Sequence, residues 1–238
     1  MTATTNSFDW NETFSVENKA RTIEYCRLDR ENGHYAFPTD ESDFKRAAVL
    51  VPLCYDVLGR PSILYNLRSL NLSRHSGEIS FPGGIMEPND GGSPIITALR
   101  ETEEELGLKR DYVDVWARLR DIQTITTSML VTPVIGFVSG LKQLDPAKMK
   151  INPDEVDQAF TVTLEHLCDS NNWADMERLN IAFPVYKNLN FRSSSPTVDL
   201  WGLTAIITHL TLKALLPTVY NRRVLFLEEF AGKKNSQL

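Results

Sequence analysis

Cysteine is scarce in this chain. Of 238 residues only Cys26, Cys54 and Cys168 are cysteine. They are far apart, odd in number and in no metal-ligand spacing, which excludes a disulfide-built scaffold and a thiolate metal site and fits a reducing compartment. Long apolar runs are missing as well. No stretch reaches the roughly 18 apolar residues of a membrane span, and the longest candidate, Leu203 to Leu216, is interrupted by Thr208, His209 and Lys213. Basic charge is short: 25 Lys and Arg against 31 Asp and Glu leave a net charge of −6. That balance argues against non-specific nucleic-acid binding. It leaves small anionic molecules open, because a metal and a few local arginines can reverse the field inside a pocket. The first twenty residues carry Asp9, Glu12 and Glu17 with almost no basic charge, unlike a transit or secretory peptide. No internal repeat is visible, and no linker is long enough to divide the chain.

What is present is ordinary globular composition, 42% hydrophobic and 24% charged, in a chain long enough for one substantial core. Residues 1–12 are polar and expected to lack fixed structure. Ser15 to Leu28 reads as an edge helix, and Asp29 to Lys45 as a loop. Ala47–Tyr55 and Ser62–Leu67, around Gly59-Arg60-Pro61, form a predicted hairpin. Glu78–Phe81, Val113–Leu119, Ile122–Ile125, Val131–Val138 and Val156–Val162 are further strands, with Pro133 implying an edge or a bulge. A short helix starts at Leu164. Phe183–Tyr186 and Asn190–Arg192 are paired as a hairpin, and Trp201-Gly202 opens a last helix reaching Leu216. Trp201 itself is assigned to the core. Strands dominate, with one helix in the middle and one near the end, an α+β pattern.

The chemistry concentrates between Ser76 and Leu108. Ser93 is a helix cap and Pro94 a first helical residue, with Gly107 as the stop. At about 100° per residue, Ile95, Leu99, Thr102 and Leu106 share one face of that helix, while Glu101, Glu104 and Glu105 crowd another. Such carboxylates repel one another unless a cation lies among them, and clustered oxygens suit a hard divalent ion such as Mg²⁺. A solvated glutamate face is the alternative. Phe81-Pro82-Gly83-Gly84, just upstream, is a way to bring backbone close to a polyphosphate.

This run resembles a Nudix box, G-x5-E-x7-R-E-U-x-E-E-x-G-U with U bulky and apolar. Gly84, Arg100, Glu101, Glu104, Glu105, Gly107 and Leu108 match. Asp90 stands in the place of the first Glu, the following spacer is two residues longer with Gly91-Gly92 as the insertion, and Thr102 replaces an apolar residue. Leu67-Arg68-Ser69, His75-Ser76-Gly77-Glu78, Phe81-Pro82-Gly83-Gly84, Asn152-Pro153-Asp154-Glu155-Val156 and Leu200-Trp201-Gly202-Leu203-Thr204-Ala205 resemble the coenzyme A pyrophosphatase branch, in particular animal mitochondrial members. Tyr65-Asn66, Ser73 and Ile85 depart from that branch's pattern.

The resemblance implies an α/β/α sandwich, a mixed sheet with helices packed outside, over residues 45–217, with 1–44 an N-terminal polar segment and edge helix and 218–238 a tail. It implies a Mg²⁺- or Mn²⁺-dependent hydrolase that cleaves coenzyme A or acyl-CoA to 3′,5′-ADP and (acyl-)phosphopantetheine, with no nucleic-acid or membrane partner. Metal falls to Glu101, Glu105 and Glu104, with Arg100 orienting a box glutamate or forming a surface ion pair. Arg68 and Arg74 are the phosphate candidates beside Gly83 and Gly84. Glu155 is either a general base or a turn residue, and His75 a loop residue. Hydrolysis of NADH or ADP-ribose, or a non-catalytic nucleotide sensor, are the rival functions. The resemblance points to mitochondria; Ser236-Gln237-Leu238, one residue from a peroxisomal address, and the cytoplasm are the alternatives.

Overall fold

The computed structural model describes residues 8–32, 44–124, 128–178, 181–189 and 198–224. In chain order come α1 (Val16–Asn32), β1 (Lys45–Tyr55), β2 (Pro61–Arg68), β3 (Ile79–Ser80), β4 (Gly83–Ile85) and α2 (Pro94–Leu106). Then follow β5 (Val113–Arg118), β6 (Ile122–Gln123), β7 (Met129–Val138), β8 (Val156–Thr163) and α3 (Leu164–Cys168). The last elements are β9 (Trp173–Arg178), β10 (Ile181–Leu189), β11 (Val198–Leu200) and α4 (Gly202–Leu215).

Alternation along β1 sorts the core. Val51 and Leu53 face one side together with Ile63 and Tyr65 of β2, while Ala48 and Leu50 face the other. The Asp56 carboxylate accepts the amides of Leu58 and Arg60, turning β1 into antiparallel pairing with β2. The opposite edge of β1 runs parallel to β7, which makes the sheet mixed. Helix α2 covers the Ala48–Leu50 side through Ala98, Ile95 and Leu99. Helices α1 and α4 cover the other, where Cys26, Ala205 and Leu210 join the main core. This is the expected α/β/α sandwich. The three-stranded sheet β9–β10–β11 lies against α4. Among the described residues no helix is long and apolar enough to cross a membrane.

One local feature positions the site. β1 and β2 pair only through Leu53–Tyr55 and Pro61–Ile63, then splay. β3 fills the fork on the β2 side, Asn66↔Ser80 and Leu67↔Ile79, and β4 on the β1 side, Ala48↔Gly84 and Val49↔Gly83.

Several expectations change. Residues 10–14 form a 3₁₀ turn, and Phe8, Trp10 and Phe14 pack on the main core, so aromatic burial orders a segment read as polar. Pro133 is inside the sheet, between β1 and the β5–β6 side. Its carbonyl accepts Leu119 N, so its missing N–H faces the gap between β5 and β6, where a ladder bond is not required. β10 is the middle strand of its sheet, paired with β9 upstream and β11 downstream, and Asn190–Arg192 lies outside the described residues. Trp201 is 39% exposed at the start of α4 and is not a core residue.

Candidate active site

Helix α2 begins and ends on the residues expected: Ser93 caps it, Pro94 opens it, and Gly107 closes it at φ +64°. Thr102 replaces a bulky residue at little cost, because its buried hydroxyl donates to the Ala98 carbonyl at 2.6 Å. The three glutamates do not share one exposed face. Glu105 is buried at 3% exposure, the Glu101 side chain is 16% exposed, and that of Glu104 is 56% exposed.

Arg100 is the hub. Its Nε and one terminal nitrogen donate to both oxygens of Asp90 at 2.9 and 3.0 Å, and its other terminal nitrogen reaches Glu101 Oε1 and Glu104 Oε2, each at 3.0 Å. Asp90 is buried but fully engaged, since Glu87 N and Thr97 Oγ1 also donate to it. The Arg100 guanidinium holds the Asp90 carboxyl well below the usual carboxylate range, and Asp90 in return raises Arg100. The substitution of Asp for Glu thus keeps the clamp on Arg100, and with it the direction in which Arg100 presents Glu101.

Glu105 lies in the fork between the strands. Its Oε2 accepts Asn66 Nδ2 of β2 at 3.0 Å and Gly83 N of β4 at 3.3 Å. Burial pushes this carboxyl up to about 8; the positive charge of Arg68 opposes the rise, and the charges of Glu155 and Glu101 add to it. Glu101 is raised by burial too, against the pull of Arg100, with Glu104 and Glu155 adding their repulsion. Arg68, at the end of β2, has a buried Nε with no hydrogen-bond partner among the described residues.

The turn bearing Glu155 is tied to both neighbours. Asn152 N donates to the Glu105 carbonyl at 2.8 Å, and Ser69 N donates to the Glu155 carbonyl at 2.9 Å. Glu101, Glu105, Glu155 and Arg68 therefore meet electrostatically at one place. Among the described residues Arg74 makes no hydrogen bond or ion pair with them; it is exposed on the loop after β2, where His75 adopts φ +56° and bonds Glu78 at 3.0 Å.

Gly83 and Gly84 occupy a strand, not a turn, and the structure gives each a steric reason. A Cβ at Gly84 would lie 2.5 Å from the Glu101 carboxylate, and one at Gly83 2.4 Å from the Ala48 carbonyl oxygen. Asn66 was noted in the sequence only as a departure from the branch's pattern, and Ser80 was not singled out. The signal was there in Asn66, a polar residue in the otherwise apolar run of β2.

Among the described residues no three Asp, Glu, His or Cys side chains already converge as a metal-ligand set. Arg100 draws Glu101 and Glu104 toward itself. The donor set nonetheless fits Mg²⁺ or Mn²⁺: one or two carboxylates, hard oxygens, and a local excess of negative charge. Mg²⁺ in particular keeps waters and substrate phosphates as its remaining ligands.

A NUDIX domain profile matches residues 44–182. The mitochondrial coenzyme A diphosphatase NUDT8 of Mus musculus is 42% identical, over 73% of this chain and 80% of that protein. Its Homo sapiens counterpart is 40% identical, over 75% and 72%. Nudix hydrolase 3 of Caenorhabditis elegans is 32% identical over 79% and 80%.

Proposed function

Because the chain belongs to the NUDIX family and is a pyrophosphohydrolase, we propose that its substrate is coenzyme A or an acyl-CoA, cut at the pyrophosphate to 3′,5′-ADP and (acyl-)phosphopantetheine. The substrate class is supported by the names of the two mammalian relatives. The chemistry is supported by one observation: buried Glu105, charge-coupled to Glu101 and Glu155, beside a buried Arg68 Nε that has no hydrogen-bond partner among the described residues. The same relatives support a mitochondrial compartment.

Glu105 and Glu101 would hold a Mg²⁺ or Mn²⁺ ion, with Glu104 as a more exposed third oxygen donor. When bound, the ion supplies Lewis acidity toward phosphate oxygens and lowers the pKa of a bound water. The rest is done by side chains. Arg68 offers a free donor in a low-dielectric place, where a guanidinium meets a phosphate oxygen strongly. Arg100, fixed by Asp90, keeps the Glu101 carboxylate aimed past Gly84. Glu155, held on a turn tied to Glu105, is the group that takes a proton from the attacking water.

Purified protein with coenzyme A and Mn²⁺ tests the proposal, with 3′,5′-ADP read by chromatography. Release by wild type, and loss of about 10²-fold or more in Glu105→Gln, is the expected result. Turnover of NADH or ADP-ribose with coenzyme A inert would replace the substrate assignment. Tight coenzyme A binding with no turnover of any of these would replace the enzyme by a sensor.

A further inference from the structure

We propose that Asn66 and Ser80 form a brace that holds one oxygen of Glu105 and so presents its other oxygen, Oε1, to the divalent cation. The inference rests on the reading of Glu105 as a metal ligand.

Asn66 is fully buried, and its two polar ends are both engaged. Nδ2 donates to Glu105 Oε2 at 3.0 Å, and Oδ1 accepts Ser80 Oγ at 2.6 Å. A buried amide costs free energy unless both ends are paired, so an apolar residue would serve the core better at this position in β2. The orientation of the amide follows from its partners. Glu105 must ionise to hold a cation, and an ionised carboxylate offers only acceptors, so in that state Nδ2 must face it, as it does here. Oδ1 is then turned to Ser80, whose hydroxyl donates. Removing that hydroxyl leaves the amide free to rotate its oxygen toward the carboxylate.

The brace is built on strand register. Asn66 and Ser80 are direct partners across β2 and β3, and Gly83 N, from β4, grips the same oxygen of Glu105. The two donors thus come from the two sides of the fork and converge on Oε2. Oε1 is left as the atom to meet a cation. Asn66 and Ser80 act through Glu105 and are positioning residues.

The test is Mn²⁺ affinity of the full chain, read by electron paramagnetic resonance without substrate, beside the kcat and KM of coenzyme A hydrolysis. Asn66→Ala is expected to weaken Mn²⁺ binding by about 10- to 100-fold, the scale seen when a partner of a metal ligand is removed. Ser80→Ala should weaken it less, and the double variant should be no weaker than Asn66→Ala, because serine works only through the amide. In all three kcat should fall while KM holds. If Glu105→Gln loses Mn²⁺ but Asn66→Ala and Ser80→Ala bind it like wild type, the brace is overturned and the ligand reading stands. If Glu105→Gln also binds like wild type, the ligand reading itself has failed. Should Asn66→Ala not fold, Ser80→Ala decides alone, and an unchanged Mn²⁺ constant overturns the brace.

Discussion

Gly84→Ala should separate activity from stability. The new methyl carbon would sit 2.5 Å from Glu101 Cδ and Oε1 and 2.6 Å from Oε2, where ordinary contact begins at 3.4 Å. Relief therefore requires the carboxylate to move by about 0.9 Å, on the scale at which misplacement of a reacting group costs about 10²-fold. The movement is cheap for the fold, since the clash is with the far end of a flexible side chain and Gly84 does not need a left-handed backbone. The expected result is kcat/KM for coenzyme A down about 10²-fold, equivalent to about 2.7 kcal/mol, with a melting temperature within about 3 °C of wild type. Gly83→Ala is the contrast: its methyl would meet the Ala48 carbonyl oxygen at 2.4 Å and Val49 Cα at 2.6 Å, at φ +156°. Backbone must give way there, and destabilisation of about 3 kcal/mol or more is expected. Steady-state kinetics and thermal melts of both variants decide the matter. Activity of Gly84→Ala within threefold of wild type would refute the assignment of Glu101 to the working site.

Asp90→Ala strands Arg100 without its main partner, and should cost about 3 kcal/mol in denaturant unfolding together with most of the activity. Metal binding should release protons: Glu105, pushed up to about 8, is largely protonated in the metal-free protein at neutral pH and must ionise to bind. Calorimetry in buffers of different ionisation enthalpy should show close to one proton released at pH 7, with Mn²⁺ affinity rising about tenfold per pH unit and levelling above pH 8. For the same reason metal-free stability should fall as pH rises from the ordinary carboxylate range to 8, because the folded state keeps a proton that the unfolded chain has lost, and Glu105→Gln should remove that slope. His209 gives the opposite sign. Burial pushes it down to about 3, with its Nδ1 2.8 Å from the Tyr220 hydroxyl, so its contribution is present above about pH 6.5 and lost as pH falls toward 3. His209→Gln should flatten that acid limb by up to about 1.4 kcal/mol per pH unit.

The box helix was legible because its signals are local: a cap, a proline, a glycine stop and a helical period all sit within Ser93–Gly107. β1, β2 and β8 were legible for the same reason, as apolar runs bounded by turns. What stayed hidden depends on contacts between distant residues. Nothing near Glu105 shows that it is buried while Glu104 is exposed; the fork between β1 and β2 decides that. Asn66 and Ser80 are 14 positions apart and 39 and 25 positions from Glu105, and only strand register brings them together. Pro133 misled because its tolerance depends on where β5 ends, and β9 was missed because Asp175, Glu177 and Arg178 break up any apolar run in Trp173–Arg178. Arg68 was named through resemblance, but its buried Nε required coordinates.

The Asp90–Arg100 clamp takes the box's directing contact out of the loop that carries Gly91-Gly92. Asp90 is gripped by Glu87 N, Thr97 and Arg100, so the extra Gly91-Gly92 bulges into open space, with nothing within 4 Å of either would-be side chain. The open space there lies just ahead of the box helix. A spectroscopic label carried there would project into that open space, away from the carboxylates that Arg100 holds. The enzyme would then carry its own gauge of metal and substrate occupancy within a few residues of the reaction.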